Sequence, residues 1–535
     1  MIRDEAIHRR LINCLKDRLV QQGERSVEVI ETHISSIILA GKYAYKIKKP
    51  LDFGFLDFST LARRHFCCKE EIRLNSRLAP TLYLDVVSIT GTVDDPQLEG
   101  VGIPIEYAVR MRRFDQAGLL STHVDGLSAE RVDEIARTVA TFHLQNATAE
   151  PVSRFGSYEQ VSLPMQDNFE HIRRLLQEPR VIRKVNRLEQ WTRRQHKKLE
   201  ANFKARRDNG YIRECHGDLH LGNMTLIDGE VVIFDGIEFS PELRWIDTMS
   251  ELAFLLMDLD EKGHPELSTR ALNSYLEVTG DYRGIALLPF YQVYRAMVRA
   301  KVCALRINQV DDDPPLMKRE RKEFHAYLDQ AEGYTDKREP CLILTHGVSG
   351  SGKSFSVQQL LCHLPAIWLR SDVERKRLAG ISADEMSDSR LGEDLYSPNF
   401  TERTYQELNR LADVILSAGF AVIVDATFLK RHHRQRFYKC AGMHRVPLVV
   451  LDFQVKAVEL RRRVADRMEQ KRRVSEADMA VLETQLKQYV PLAEDELDCV
   501  ISISGSTDGW ILDVMERCKY QTARTAQRED LLLNH

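Results

Sequence analysis

Residues 347–354 read GVSGSGKS, set between an apolar run, CLILTH, and a stretch of helical text. No stretch of this chain constrains its fold more tightly. The spacing G-x-x-x-x-G-K-S needs a strand before it and a helix after it. Its glycines turn backbone N–H groups inward around phosphate oxygens at the helix N-terminus. Gly347, Gly350 and Gly352 supply the turns, Lys353 reaches toward β- and γ-phosphates, and Ser354 is placed to hold Mg²⁺. Downstream, AIWLRSD, FAVIVDAT, PLVVLDF and DCVISIS read as strands with helical text between them. Such alternation predicts a parallel sheet covered on both faces over residues 341–520.

After the second strand, RSDVERKRL puts Asp372 and Arg375 three residues apart on one face of a helix start. A carboxylate at the carboxyl end of such a strand faces the ligand crevice, where it accepts the proton of an attacking hydroxyl. An N-cap with a surface arginine is the structural alternative. VDATF ends the next strand in Asp425, placed for a metal-water or substrate contact. RRRVADRMEQKRRVSEADMAVL supplies a basic helix, positioned as a lid whose arginines close on the phosphoryl group. With these pieces in order, residues 341–520 resemble the small P-loop kinases, a family that includes zeta-toxin-like, polynucleotide 5′-hydroxyl and gluconate kinases. That resemblance implies ATP and Mg²⁺ as cofactors, Asp372 as the hydroxyl-activating base and Arg375 as a substrate contact. It implies Arg463 and Arg467, ahead of SEAD, as the phosphate-closing lid residues.

A second phosphate chemistry is written in CHGDLHLGNM, residues 215–224. A zinc helix needs H-E-x-x-H, but Gly217 follows the first histidine, and Gly217 and Gly222 oppose a regular helix. The spacing His-x-Asp-x-x-x-x-Asn of a kinase catalytic loop fits better, with His216, Asp218 and Asn223 in place. IFDG then puts Asp235 after a β-hairpin, where a metal-binding aspartate belongs. Upstream, period-2 alternation in YAYKIKK sets Ala44 and Lys46 on one strand face, followed by a helix with Glu70 and Glu71. Residues of about 25–330 resemble the aminoglycoside phosphotransferase and choline kinase family. The resemblance implies Asp218 as the base, Asn223 and Asp235 as Mg²⁺ ligands, and Lys46 on the α/β-phosphates with Glu71, rather than Glu70, as its partner. It also implies that Asp247 ties down the catalytic loop. No G-x-G-x-x-G is present, so the phosphate-covering turn is expected near Ser35-Ser36, and no A-P-E motif marks a protein kinase.

The whole arrangement resembles bacterial proteins named bifunctional aminoglycoside phosphotransferase/ATP-binding protein. The expected fold is α/β multi-domain. A bilobal protein-kinase-like (α+β) domain would span residues 1–335, with an N-lobe of about 25–115 and a C-lobe of about 116–335. A P-loop NTPase domain with a parallel sheet follows at 341–520, and a tail at 521–535. A net charge of −3 gives no global pull toward nucleic acid or membrane, and no apolar run reaches the ~18 residues of a membrane span. Ten scattered cysteines without C-x-x-C spacing read as reduced thiols of a cytoplasmic protein. The leading expectation is an ATP-dependent phosphotransferase acting on hydroxyls of small molecules. Two alternatives stay open: a polynucleotide 5′-hydroxyl or sugar-nucleotide kinase in the C-terminal half, and a regulatory pseudokinase in the N-terminal half. Oligomeric state is not legible.

Overall fold

The computed structural model describes residues 4–24, 26–54, 56–308, 314–382, 395, 397–468, 479–503 and 509–518. The expected tail, the SEAD segment and the side chain of Arg467 lie outside the described residues. Two compact units emerge. The first comprises residues 1–128, 142–262 and 291–329; the second comprises 129–141, 263–290 and 330–535.

In the first unit, helix α1 (Glu5–Gln21) precedes a six-stranded antiparallel sheet of order β1-β2-β3-β6-β4-β5. The strands are β1 (Val27–Glu31), β2 (Ser35–Ala40), β3 (Tyr43–Lys48), β4 (Tyr83–Gly91), β5 (Pro96–Leu98) and β6 (Glu106–Arg112), with α2 (Leu61–Asn75) between β3 and β4. Side-chain alternation divides the sheet's two faces. Ile38, Tyr45 and Ile47 pack with Leu11, Ile12 and Leu15 of α1, whereas Leu39, Ala44 and Val109 pack with Cys68 of α2. Ala44, Lys46 and Lys48 therefore share the α2 side. The β1–β2 turn is held tightly: Thr32 Oγ1 accepts from Ser35 N and donates to Ser35 O, both at 2.9 Å. Ser35 and Ser36 already belong to β2, opposite Lys48 and Ile47.

The helical part of this unit carries the end of α3 (Ala129–Gln145), α4 (Tyr158–Leu175), α5 (Pro179–Lys198) and α6 (Glu200–Asp208). Further along come the short α7 (Pro241–Arg244) and the wholly buried middle of α8 (Thr248–Glu261). Two small ribbons project from it, β7 (Ile212–Glu214) with β10 (Trp245–Asp247), and β8 (Met224–Ile227) with β9 (Glu230–Ile233).

Strands of the second unit lie all parallel in the order β12-β13-β11-β14-β15. They are β11 (Leu342–His346), β12 (Ala366–Arg370), β13 (Ala421–Asp425), β14 (Leu448–Phe453) and β15 (Val500–Ile503). Because β11 sits between β13 and β14, the strand order reverses beside it, and the crevice beyond its carboxyl end is where ligands bind in such sheets. One face is covered by Val357 and Leu360 of a helix at Lys353–Leu361 and by Trp510, Ile511 and Val514 of another at Gly509–Arg517. The edge strand β12 does not end in solvent. A helix at Pro265–Thr279 lies along it, and Asn273 donates to Ala366 O at 2.9 Å and accepts from Trp368 N at 2.7 Å. One side-chain amide thus takes the place of a neighbouring strand's peptide.

Candidate active sites

The catalytic-loop sequence of the first unit is fixed by hydrogen bonds to its backbone. Glu251 of α8, fully buried, accepts from His216 N at 3.0 Å, from Gly217 N at 2.5 Å and pairs with His143 Nε2 at 2.8 Å. Burial raises the Glu251 carboxyl, but the His143 bond and its other partners win and hold its pKa at about 2. Arg295 donates to Gly217 O at 3.1 Å, and Asp258 accepts from Leu221 N at 2.8 Å. The role expected of Asp247 is thereby corrected. Asp247 forks onto Arg206 at 2.6 and 2.7 Å and caps α8 through Met249 N, while Glu251, four residues on, anchors the loop. His216 Nε2 lies 2.9 Å from Phe234 O and its Nδ1 lies 3.3 Å from Asp218 N, so the Nε2–H tautomer serves both. Gly217 adopts φ +89, and a Cβ there would stand 2.9 Å from Leu243 O.

This framework brings the expected residues together. Asn223 Nδ2 donates to Asp218 Oδ2 and to Asp218 O, each at 3.0 Å, and His220 Nε2 lies 3.3 Å from the same carboxylate. Burial pushes the Asp218 carboxyl up, but His220 and Arg299 outweigh it and hold it well below the ordinary range. Phe234 N donates to Asn223 O at 3.0 Å, joining the segments that carry Asn223 and Asp235. Asp235 takes a left-handed φ of +64, rare for a non-glycine residue. Two neighbours hold it there: Asp235 N donates to Tyr83 Oη at 3.0 Å, and Gly236 N donates to Asn75 Oδ1 at 2.7 Å. Lys46 Nζ donates to Glu71 Oε1 at 2.7 Å and is ion-paired with Asp235. Glu70 turns instead to Arg73. The oxygen donors of Asn223 and Asp235 suit a hard cation such as Mg²⁺.

Sequence reasoning did not find Lys48, which is fully buried, bonds Glu71 Oε2 at 2.6 Å and pairs with Glu238. Period-2 alternation from Lys46 was the signal available.

In the second unit the turn after β11 is built from Gly350 at φ +83 and Gly352 at φ +99. A Cβ on Gly350 would meet Val464 at 3.0 Å. Lys353 Nζ donates to Gly347 O at 3.0 Å and Val348 O at 2.9 Å. Ser354 Oγ donates to Asp425 Oδ2 at 2.7 Å, and Thr345 Oγ1 lies 3.3 Å from the other carboxylate oxygen. The hydroxyl and carboxylate expected at the metal are therefore adjacent, and both are hard oxygen donors. Asp372 and Arg375 lie on the helix Ser371–Leu378, 4.0 Å apart. Arg463, on the helix Ala457–Met468, bonds Glu459 at 2.7 Å, with its Nη1 3.8 Å from where a Cβ on Gly352 would stand.

Two further features escaped the sequence. Ser349 N, a donor of the phosphate turn, is taken by Gln485 Oε1 at 2.8 Å from the helix Met479–Gln488. The helix carrying Asp372 and Arg375 is held from behind. Tyr282 Oη donates to Glu374 Oε1 at 2.8 Å, and Arg377 donates to Glu277 O at 2.8 Å.

Two family models match the chain. Residues 68–288 match the phosphotransferase enzyme family, and residues 342–492 match an AAA domain. An uncharacterized protein of Mycobacterium tuberculosis (strain ATCC 25618 / H37Rv) is 31% identical over 407 residues, 76% of this chain and 79% of the relative. An uncharacterized protein of Mycobacterium bovis aligns with the same values. Among solved structures, the GDP and kanamycin complex of an APH(2″) aminoglycoside phosphotransferase shares 14% identity. It covers 60% of this chain and 98% of that chain, with a TM-score of 0.39. A gluconokinase from Sinorhizobium meliloti shares 19%, covering 36% and 98%, with a TM-score of 0.23. The chain belongs to the family of these mycobacterial proteins: it is a phosphotransferase enzyme that joins an aminoglycoside phosphotransferase-like domain to a P-loop kinase-like domain.

Proposed function

We propose that each half is an ATP- and Mg²⁺-dependent kinase, residues 1–335 forming one and 341–520 the other, and that both act on hydroxyls of small molecules. The observation that carries this is a buried lysine with nearby oxygen donors in each half: Lys46 paired with Asp235 and Glu71, and Lys353 on the Gly347 and Val348 carbonyls, next in the chain to Ser354, which bonds Asp425. When bound, Mg²⁺ would be held by Asn223 and Asp235 in one half and by Ser354 and Asp425 in the other, and it would neutralise charge on the phosphates. Asp218 orients the acceptor hydroxyl. Its oxygen attacks the γ-phosphorus, the bond to the ADP oxygen breaks, and the hydroxyl proton passes to the carboxylate. Asp218, held below the ordinary carboxylate range, is a weak base, which fits a loose transition state where the proton leaves late. Asp372 has the same role in the second half, with Arg375 on the acceptor and Arg463 and Arg467 closing on the phosphates.

A nucleic-acid acceptor is less well supported. Arg461 pairs with Glu483, and Arg462 and Arg463 pair with Glu459, so this part of the basic run already has acidic partners. A reducing, cytoplasmic setting, expected from the scattered cysteines, belongs to the same proposal.

The test is a calorimetric count of sites for the Mg²⁺ complex of a non-hydrolysable ATP analogue. Two sites per chain are expected, falling to one in Lys353→Ala. A single site that disappears with Lys353→Ala would leave the first half without a nucleotide and sink the two-kinase reading.

A further inference from the structure

We propose that Lys48 and Glu238 are positioning residues of the first nucleotide site. They form a second ion pair that keeps Glu71 seated when Lys46 is drawn away to phosphate. This rests on the reading that Lys46 binds nucleotide phosphates.

The argument begins in β3. Lys46 and Lys48 are two residues apart and so project to the same side of the sheet, toward α2. A lysine buried as completely as Lys48 loses its hydration, and only surrounding carboxylates offset that loss. Here two do. Glu71 divides its carboxylate, Oε1 to Lys46 at 2.7 Å and Oε2 to Lys48 at 2.6 Å. Glu238, also buried, pairs with Lys48 from the other side and stands three residues after Asp235. Its carbonyl accepts from Arg244 at 3.0 Å, and the Phe58 ring lies 5.0 Å from the Lys48 ammonium. Lys48 thus adds a tie between α2 and the segment that carries Asp235, beside the Asn75–Gly236 hydrogen bond and Lys46 itself.

Lys46 stands between Glu71 and Asp235. An arriving nucleotide changes both contacts, because its phosphates compete for the ammonium and its cation competes for Asp235. If Lys46 were the sole partner of Glu71, that movement would strand a buried carboxylate. With Lys48 on the second oxygen, Glu71 keeps an ion pair throughout, and α2 stays where Lys46 needs it. The site lacks a glycine-rich covering turn, so its hold on phosphate depends heavily on this lysine being presented in one place.

The experiment uses the full chain carrying Lys353→Ala as parent, so that Mg²⁺·AMP-PNP titrates the first site alone, with adenosine as a second probe read as the change from that same parent. Lys48→Met is expected to weaken Mg²⁺·AMP-PNP at least tenfold and to leave adenosine within twofold, because only phosphate contacts run through Lys46. Glu238→Gln, which retains an acceptor for Lys48, is expected to show the same split at about threefold and keeps the test alive should Lys48→Met not fold. Equal loss of both probes would make the pair mere scaffold, and no loss of either would remove it from nucleotide binding. Both results overturn the inference while leaving the nucleotide site standing. If the parent chain bound neither probe, the underlying reading would fall, and the inference with it.

Discussion

The two halves hold their site lysines by different means. Lys46 is surrounded by carboxylates from elsewhere in the chain, Glu71 on a helix and Asp235 after a distant hairpin. Lys353 donates to carbonyls of its own turn, Gly347 and Val348, within six residues. The first arrangement balances full charges and exists only when three segments have converged. The second includes carbonyl dipoles that a short stretch of backbone supplies to itself. A lysine balanced by full charges from distant segments is tied to the packing of the whole lobe, whereas hydrogen bonds to a lysine's own turn tie it to that turn.

The largest test of this contrast is substitution at the two lysines. Lys46→Met leaves Asp235 without its cation while Glu71 keeps Lys48, and is expected to cost about 2 kcal/mol of folding stability. Lys353→Met removes hydrogen bonds to carbonyls and is expected to cost about 1 kcal/mol, while still eliminating nucleotide at its site. Urea unfolding of both variants measures this, and equal costs would break the comparison.

Acid is expected to treat the halves alike, which sharpens the claim that their difference is local to the lysines. Burial lowers His8 in the first half and His433 in the second to about 4 each. Both folded pKa values lie below the unfolded one, so their stabilising contribution is whole above about pH 6.5 and is lost as pH falls toward 4. At pH 5 each accounts for a loss of about 2 kcal/mol. Chemical denaturation at pH 7 and pH 5, with His8→Asn and His433→Asn beside the wild type, reads the two contributions separately.

The smallest expected effect concerns Gln485, which occupies a donor that phosphate would use. Gln485→Ala is expected to tighten Mg²⁺·AMP-PNP at the P-loop site about threefold, by releasing one hydrogen bond of about 0.5–1.5 kcal/mol. Gln485→Glu is expected to weaken it by charge repulsion. Calorimetry distinguishes the two, and weaker binding in Gln485→Ala would make this residue a support of the turn and not a competitor.

Sequence reading went furthest where chemistry is contiguous. GVSGSGKS implied its own strand, turn and helix, and the alternating text implied the parallel sheet that contains them. HGDLHLGN and IFDG were nearly as informative, because their spacing matches one backbone path. Reading faltered at side chains whose partners are far away. Asp247 looked like the anchor of the catalytic loop, yet Glu251 holds it, since position along α8 selects which acid faces His216 and Gly217. Asn273 carries no local sign that it will seal the edge of β12, and Gln485 none that it will meet Ser349.

Periodicity and motif spacing are properties of neighbouring residues, so element types, the phosphate turn and the chemistry each half attempts follow from the chain alone. Which buried carboxylate meets which cation depends on strand register, helix rotation and the order of strands in space. Those follow from simultaneous packing of distant segments, and that is why Lys48–Glu238, Glu251 and the Asn273 cover emerged only in the folded molecule.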